Sequence, residues 1–426
     1  MRLFYTLLLC CFFTVLLADD CSNGRYLEPI FQRVDIHKDI VYARKLQSDG
    51  HMIALAYDIY EPHGDTASLR PVMILIHGGA YLKLLDQNSP DIVMLCQYFA
   101  KRGYVTVSID YRQEPNPLAL LSEETMVKAV TRALIDTKDA TDHLMMTVLN
   151  GNPYRIDTSK GIIGGVSAGA VSSMFISYLD SLGQVTAQYQ QWIKEAAGDS
   201  ADYILRHKFD LYKPKIAISI SGALLDTNWI HPNGIDVLLD HGSVDEIVPY
   251  NYGYPLNITS LPKLYGGKAM YPRMINQGIR CEFEDWIGRG HVPFMNLNFP
   301  DILTNFIDQS ILDSTERHIA HFCYKILNCD AQPTGIVQHK LGDLNLYPNP
   351  NNGSFTLELP KVNFNVNWSM QLFNAAGQAI LTQPIPSGND QFMIREKIPP
   401  GIYFLKLSYE HGQQIDYYTA AFSVAK

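Results

Sequence analysis

Several short runs of this chain are apolar almost throughout: Val72-Met73-Ile74-Leu75-Ile76, Tyr104 to Ile109, Gly161-Ile162-Ile163 and Ile216-Ala217-Ile218-Ser219-Ile220. A strand wetted on one face alternates polar and apolar side chains, whereas a continuous run needs cover on both faces, the condition met in a parallel sheet sandwiched by helices. Helical segments separate the runs, one around Asp91 to Lys101 and a long one from about Ser122 to Leu149, where Ser122-Glu123-Glu124 reads as an N-cap. Two later runs, Val237 to Gly242 and Cys281 to Ile287, extend the series. This alternation predicts an α/β fold, a mostly parallel sheet flanked by helices. Upstream, Val34-Asp35-Ile36, Ile40-Val41-Tyr42 and Ala54 to Tyr60 alternate around a polar turn at Gln47 to Gly50, which predicts two or three antiparallel edge strands.

Arg2 precedes an apolar run from Leu3 to Leu17 that closes at Ala18 before Asp19-Asp20. The run is shorter than the ~20 residues of a membrane-spanning helix and has the charge, core and small exit residue of a secretory signal peptide, assigned to 1–18. No other stretch is apolar for long enough, so no membrane span and a soluble mature chain are expected. Removal of the signal leaves Cys21, Cys96, Cys281, Cys323 and Cys329, an odd number, hence at least one free thiol. Cys323 and Cys329 pair with each other or one of them ties down Cys21; the spacing does not decide. A net charge of −9 and a pI near 5.8 argue against nucleic acid as a partner.

The chemistry concentrates at strand ends. Gly165-Val166-Ser167-Ala168-Gly169 fits G-x-S-x-G between an apolar run and a helical one, the strand-turn-helix setting that lifts a serine hydroxyl above a sheet edge. An acid is expected on the loop after Val237 to Gly242, where Asp240, Asp245 and Glu246 compete. Asp240 falls inside the apolar strand pattern and reads as structural; Asp245 follows the turn and can fold back over the edge. His291, in a glycine-flanked loop after Cys281 to Ile287, is the candidate base. The order Ser167, Asp245, His291 matches the Ser-acid-His order of one hydrolase lineage and not the orders of chymotrypsin or subtilisin. Backbone N–H of Ala168 and of the His77-Gly78-Gly79-Ala80 turn is placed to meet a developing oxyanion.

The block from about Arg33 to Phe294 resembles the α/β-hydrolase superfamily, in particular carboxylesterases and hormone-sensitive-lipase-like esterases, through these same residues, His241-Gly242 before Asp245, and Gly290-His291. The resemblance implies a Ser167–His291–Asp245 triad, an oxyanion hole of Gly79, Ala80 and Ala168, and hydrolysis of short to medium acyl esters without metal or cofactor. Many relatives have glycine where Ala80 stands, which bears on tolerance of bulky or tertiary-alcohol esters. Feruloyl or acetyl-xylan esters, or lipase substrates, are the alternatives on the same triad, and a non-catalytic surface binding module is the alternative of another class. Among enzymes, a secreted peptidase related to the prolyl oligopeptidases is the competitor, though no room is expected for the large N-terminal propeller those enzymes carry. Tyr81 and Trp229 flank the site as candidate substrate contacts, and the strandless, partly amphipathic segment 182–213 is either a partial cap over the active-site edge or a flanking helix.

Beyond a catalytic domain at 19–327, residues 328–342 are polar and aperiodic and read as a linker. The remainder, 343–426, shows short alternating segments at Ser354 to Leu359, Ser369 to Asn374 and Gly401 to Ser408, the pattern of a small antiparallel β-sandwich. Its opening, Tyr347-Pro348-Asn349-Pro350-Asn351-Asn352-Gly353, with Phe373-Asn374-Ala375-Ala376-Gly377 and Gly401-Ile402-Tyr403, resembles the type A sorting domain of the type IX secretion system. That resemblance implies a secretion machinery as partner, a secreted or cell-surface destination and removal of the domain; a carbohydrate-binding sandwich is the alternative. His318, His321 and Cys323 have helical ligand spacing without a fourth ligand, so no metal site is expected there.

Overall fold

A computed structural model describes residues 21–83, 85–198, 201–296, 306–327, 329, 337–359, 368–374, 379–385, 391–395, 398–411 and 414–425. The signal peptide, Ala375 to Gly377 of the sorting motif and Lys426 lie outside the described residues. The chain divides into two compact units, Met1–Asp330 and Ala331–Lys426.

The first unit is built on an eight-stranded sheet: β1 (Val34–Leu46), β2 (Met52–Pro62), β3 (Arg70–Ile76), β4 (Val105–Ile109), β5 (Ile156–Val166), β6 (Ile216–Ile220), β7 (Asp236–Gly242) and β8 (Cys281–Trp286). Their spatial order is β1-β2-β4-β3-β5-β6-β7-β8. β1 and β2 are antiparallel, β2 runs antiparallel to β4, and every pair beyond that is parallel. The apolar runs divide their side chains between two cores, as strands covered on both faces must. Val72, Ile74 and Ile76 pack with Leu134, Met174 and Met270 on one face; Met73 and Leu75 pack with Phe99, Ile319 and Phe322 on the other. The helices are α1 (Pro90–Ala100), α2 (Glu123–Leu149), α3 (Ala168–Tyr178), α4 (Ala187–Ala197), α5 (Ala201–Arg206), α6 (Gly267–Asn276) and α7 (Gln309–Ile326). Ser122 caps α2, its hydroxyl accepting from the Thr125 amide at 3.3 Å.

The two alternating patches at Val34 and Ile40 belong to one strand. β1 absorbs a register shift between His37 and Ile40, where Asp39 takes a positive φ of 56°, so a bulge splits the pattern without ending the strand. Cys21 pairs with Cys329 (Cα–Cα 5.4 Å), and Cys323 is a free, buried thiol with Cys96 and Cys281. Of the pairings the sequence left open, this is the one that ties the start of the unit to its last helix.

The second unit contains a five-stranded and a three-stranded sheet. Phe355, Leu357, Trp368, Met370, Leu405 and Leu407, alternate residues of their strands, form its core. Residues 337–342, expected as the end of a linker, are strand instead: Val337–Asp343 pairs with Gln414–Val424 in parallel, whereas the other described strand pairs of this unit are antiparallel. A polar strand at a sheet edge needs no apolar period, which is why the composition read as linker.

Candidate active site

β5 runs into α3 through Ser167, whose backbone sits at φ 55°, ψ −119°. A non-glycine residue held there is strained, and the surroundings enforce it. The Ser167 amide donates to the Ile220 carbonyl at 2.8 Å, and α3 starts at the next residue with all eleven of its residues buried. Strand and helix approach so closely that a Cβ on Gly169 would lie 2.0 Å from the Ile76 carbonyl oxygen, and one on Gly165 would lie 2.5 Å from the Gly169 carbonyl carbon. Both glycines of the motif are therefore steric requirements of the elbow.

His291 and Asp245 reach Ser167 from the loops after β8 and β7. Ser167 Oγ and His291 Nε2 are 2.7 Å apart, and His291 Nδ1 and Asp245 Oδ2 are 2.8 Å apart. The Asp245 carboxylate is fully enclosed: its Oδ1 accepts from the Ile247 and Val248 amides at 2.8 and 2.9 Å. Burial alone would raise its pKa, but the imidazoles of His241 and His291 outweigh burial and hold it well below the usual carboxylate range. An ionised Asp245 only accepts, so the proton of neutral His291 sits on Nδ1 and leaves Nε2 free to accept from the serine hydroxyl. The imidazole is carried by a loop fixed at both ends: the Val292 amide donates to Ser221 Oγ at 3.0 Å, and Arg289 pairs with Asp308 at 2.8 Å.

Asp240 stands apart from this group. It lies inside β7, accepts from Trp286 Nε1 at 2.8 Å and from the Thr315 hydroxyl at 3.3 Å, and burial pushes its pKa up to about 7. The sequence marks His241 only as part of the His241-Gly242 turn before Asp245 and gives it no role of its own. His241 Nε2 lies 3.1 Å from Asp245 Oδ2, and its Nδ1 accepts from the Gly267 amide at 3.3 Å, which leaves the proton on Nε2, facing the carboxylate. No spacing signal announces that contact.

Gly79, Ala80 and Tyr81 all have positive φ (105°, 54° and 61°), a turn that reverses the backbone beside Ser167. Tyr111 braces it: its ring stacks on His77 (centroids 4.4 Å apart) and its hydroxyl donates to the carbonyls of His77 and Gly78, both at 3.1 Å. Among the described residues, the amides of Gly79, Ala80 and Ala168 donate to no intramolecular acceptor. Ala80, Ser167 and Ala168 share the wall of one cavity of about 110 Å³. Carbon lines most of the rest, including Met126, Val130, Val171 and Leu264. Tyr81 and Trp229 are both in that wall and both buried, their polar atoms turned away: the Tyr81 hydroxyl donates to the Ala168 carbonyl at 2.8 Å and Trp229 Nε1 to the Gln184 carbonyl at 3.0 Å. The 182–213 segment contributes Val185, Tyr189 and Ile193, so α4 roofs this cavity.

The family model BD-FAE matches residues 57–205, which include the Gly79–Ala80 turn and the Ser167 elbow and end before Asp245 and His291. Over those residues the chain is similar to the BD-FAE family of esterases. The esterase is joined to a secretion system C-terminal sorting domain, matched at 345–417, which marks the chain for secretion or the cell surface. No curated protein matches the chain. Among solved structures it is similar to Thermogutta terrifontis esterase 2 phosphorylated by paraoxon, at 18% identity and a TM-score of 0.44 over 69% of this chain and 94% of that one. It is also similar to a truncated carbohydrate esterase from gut microbiota, at 16% identity and a TM-score of 0.43 over 70% and 98%. A third similarity is to a dienelactone hydrolase-like promiscuous phosphotriesterase, P91, from metagenomic libraries, at 12% identity and a TM-score of 0.42 over 69% and 98%. No described helix is long and apolar enough to cross a membrane.

Proposed function

We propose that this esterase cleaves carboxylic esters of short to medium acyl chains, with Ser167 as nucleophile, His291 as general base and acid, and Asp245 as the group that fixes the histidine. The observation that carries the reading is the unbroken relay of 2.7 and 2.8 Å from serine to imidazole to carboxylate. Ser167 Oγ attacks the ester carbonyl as its proton passes to His291 Nε2; the imidazolium, stabilised by Asp245, then protonates the departing alkoxide. Water deprotonated by the same nitrogen attacks the acyl-serine, and the carboxylic acid leaves as Ser167 recovers its proton. The amides of Gly79, Ala80 and Ala168, free of internal acceptors, are assigned to the tetrahedral oxyanion. The carbon-lined cavity beside Ser167 takes the acyl chain, with Tyr81 and Trp229 as parts of its wall. Residues 1–18 act as the export signal, and the sorting domain is removed at the destination.

A panel of p-nitrophenyl esters from acetate to palmitate, with feruloyl and acetylated-xylan substrates beside it, tests the assignment. Short chains are expected to be fastest, and Ser167→Ala is expected to lower kcat by a factor of 10⁴ or more. Equal turnover by Ser167→Ala and wild type would remove the esterase chemistry from this site.

A further inference from the structure

The cavity beside Ser167 has a neighbour. A second apolar cavity of about 30 Å³ lies beneath α4 and α5, and four residues belong to the walls of both: Thr131 and Leu134 from α2, Leu179 from the end of α3, and Ile193 from α4. All four are buried, so they form a partition between two voids in the same carbon-lined channel. We infer that this partition, chiefly Ile193 and Leu134, sets the longest acyl chain the esterase accepts, and that the void behind it is unused acyl space. The inference rests on the cavity beside Ser167 being the acyl site.

Ile193 is the only buried residue of α4. With Leu182 and Ala201 it makes a small apolar cluster of its own, separate from the two large cores. Its position is fixed from outside the cluster as well. Lys128 of α2 pairs with Glu195 of α4 at 2.6 Å, and the Tyr189 hydroxyl donates to Glu123. Leu134 is held by the long helix α2. A partition built from two tied helices blocks a growing chain at one place, so activity should break at one chain length and not decline smoothly. Lys208 also lines the far void, but its ammonium is occupied by the Leu179 carbonyl and Asp180, at 2.7 and 2.8 Å.

Wild-type enzyme is assayed for kcat/KM on p-nitrophenyl esters at each even length from acetate to dodecanoate, with Ile193→Ala, Leu134→Ala and Leu134→Val beside it and thermal unfolding recorded for each. Burying one more methylene favours binding by roughly fourfold. Opening the partition for two more methylenes is therefore expected to raise the ratio of kcat/KM for the first rejected length over butyrate on the order of tenfold in Ile193→Ala and Leu134→Ala, and by less in Leu134→Val. A smooth wild-type decline overturns the inference without any variant. So do folded variants whose ratios stay within twofold of wild type. Loss of the whole series in Ser167→Ala, with those two outcomes, leaves the catalytic reading standing and removes only the partition; an active Ser167→Ala removes both.

Discussion

Exchanging Asp245 for asparagine replaces one oxygen by an NH₂ group and tests the relay from serine to carboxylate. The side chain has the same shape, and its surroundings dictate how it sits. The Ile247 and Val248 amides both need an acceptor where Oδ1 now lies, so the amide oxygen takes that position and the NH₂ group falls where Oδ2 was. That group would then point donors at His291 Nδ1, 2.8 Å away, and at His241 Nε2, 3.1 Å away. His291 can accept only by moving its proton to Nε2, which then presents N–H to the serine hydroxyl and cannot take its proton. Loss of the base's proper tautomer costs roughly 10³- to 10⁴-fold in kcat, about 4 to 5.5 kcal/mol at 1.36 kcal/mol per tenfold, with KM little changed. His241 is bound through Nδ1 to the Gly267 amide, so it meets the new donor with a donor of its own, and stability should fall by about 1 to 3 kcal/mol as well. The assay is kcat and KM on p-nitrophenyl butyrate, with unfolding followed in urea. Asp240→Asn is the internal control: Asp240 accepts from Trp286 and Thr315, both served equally well by an amide oxygen, and kcat should stay within about threefold. A folded Asp245→Asn within tenfold of wild type, or an Asp240→Asn that loses as much, would refute the assignment of the acid.

Glu316 on α7 is an acid whose pKa burial, aided by nearby Asp313, pushes up to about 8. Its proton is bound more tightly in the folded than in the unfolded chain, so its contribution is fully present below the ordinary glutamate range, falls as pH rises towards 8 and is flat above. Glu316→Gln should therefore raise the melting temperature relative to wild type at pH 8 to 9, by an amount set by a few kcal/mol at most, and the gap should close by pH 5; a gap independent of pH would exclude the buried acid as the cause. The Cys21–Cys329 bond closes a loop of 308 residues, and Cys21→Ser or Cys329→Ser should each cost roughly 2 to 5 kcal/mol while the double variant costs no more than either. Additive losses in a denaturation series would mean that the two sulfurs stabilise the fold separately.

The sheet was legible because its signal is physical and local. Val72 to Ile76 and Ile216 to Ile220 have no polar face to show, and a strand of that kind has few homes outside a helix-covered parallel sheet. The elbow was legible for a related reason: Gly165 and Gly169 stand where a Cβ would overlap backbone atoms, so the motif carries its geometry in its glycines. Asp245 and His291 were singled out by chain order relative to strand ends, a topological inference that needs no contact information, and the fold brings both into one chain of contacts with Ser167. Contacts were the missing part. His241 faces Asp245 because β7 ends in a turn that brings a residue four positions on back over the strand end; the return of Asp245 was legible, but not which side chain it would meet there. Residues 337–342 escaped for the opposite reason, since an edge strand can be mostly polar, as here with only Val337 and Leu341 apolar.

The cavity walls show where sequence reading stops in this fold. Met126, Val130 and Leu134 recur at helical spacing along α2 and are indistinguishable, as a pattern, from the side of α2 that packs on the sheet. They line a void because α4, fixed to α2 through Lys128–Glu195 and held by a small cluster of its own, roofs the space without filling it. If the cavity is the acyl site proposed above, specificity resides in how far one short helix stands off another, a distance set by the ties at its two ends and by a single buried isoleucine. Catalysis depends on residues whose order along the chain is constrained by strand ends and hydrogen-bond chemistry. Acyl selection, on the proposed reading, depends on packing residues that any apolar side chain of suitable volume could replace, so substitutions that leave the relay from Ser167 to Asp245 untouched are expected to move chain-length preference first.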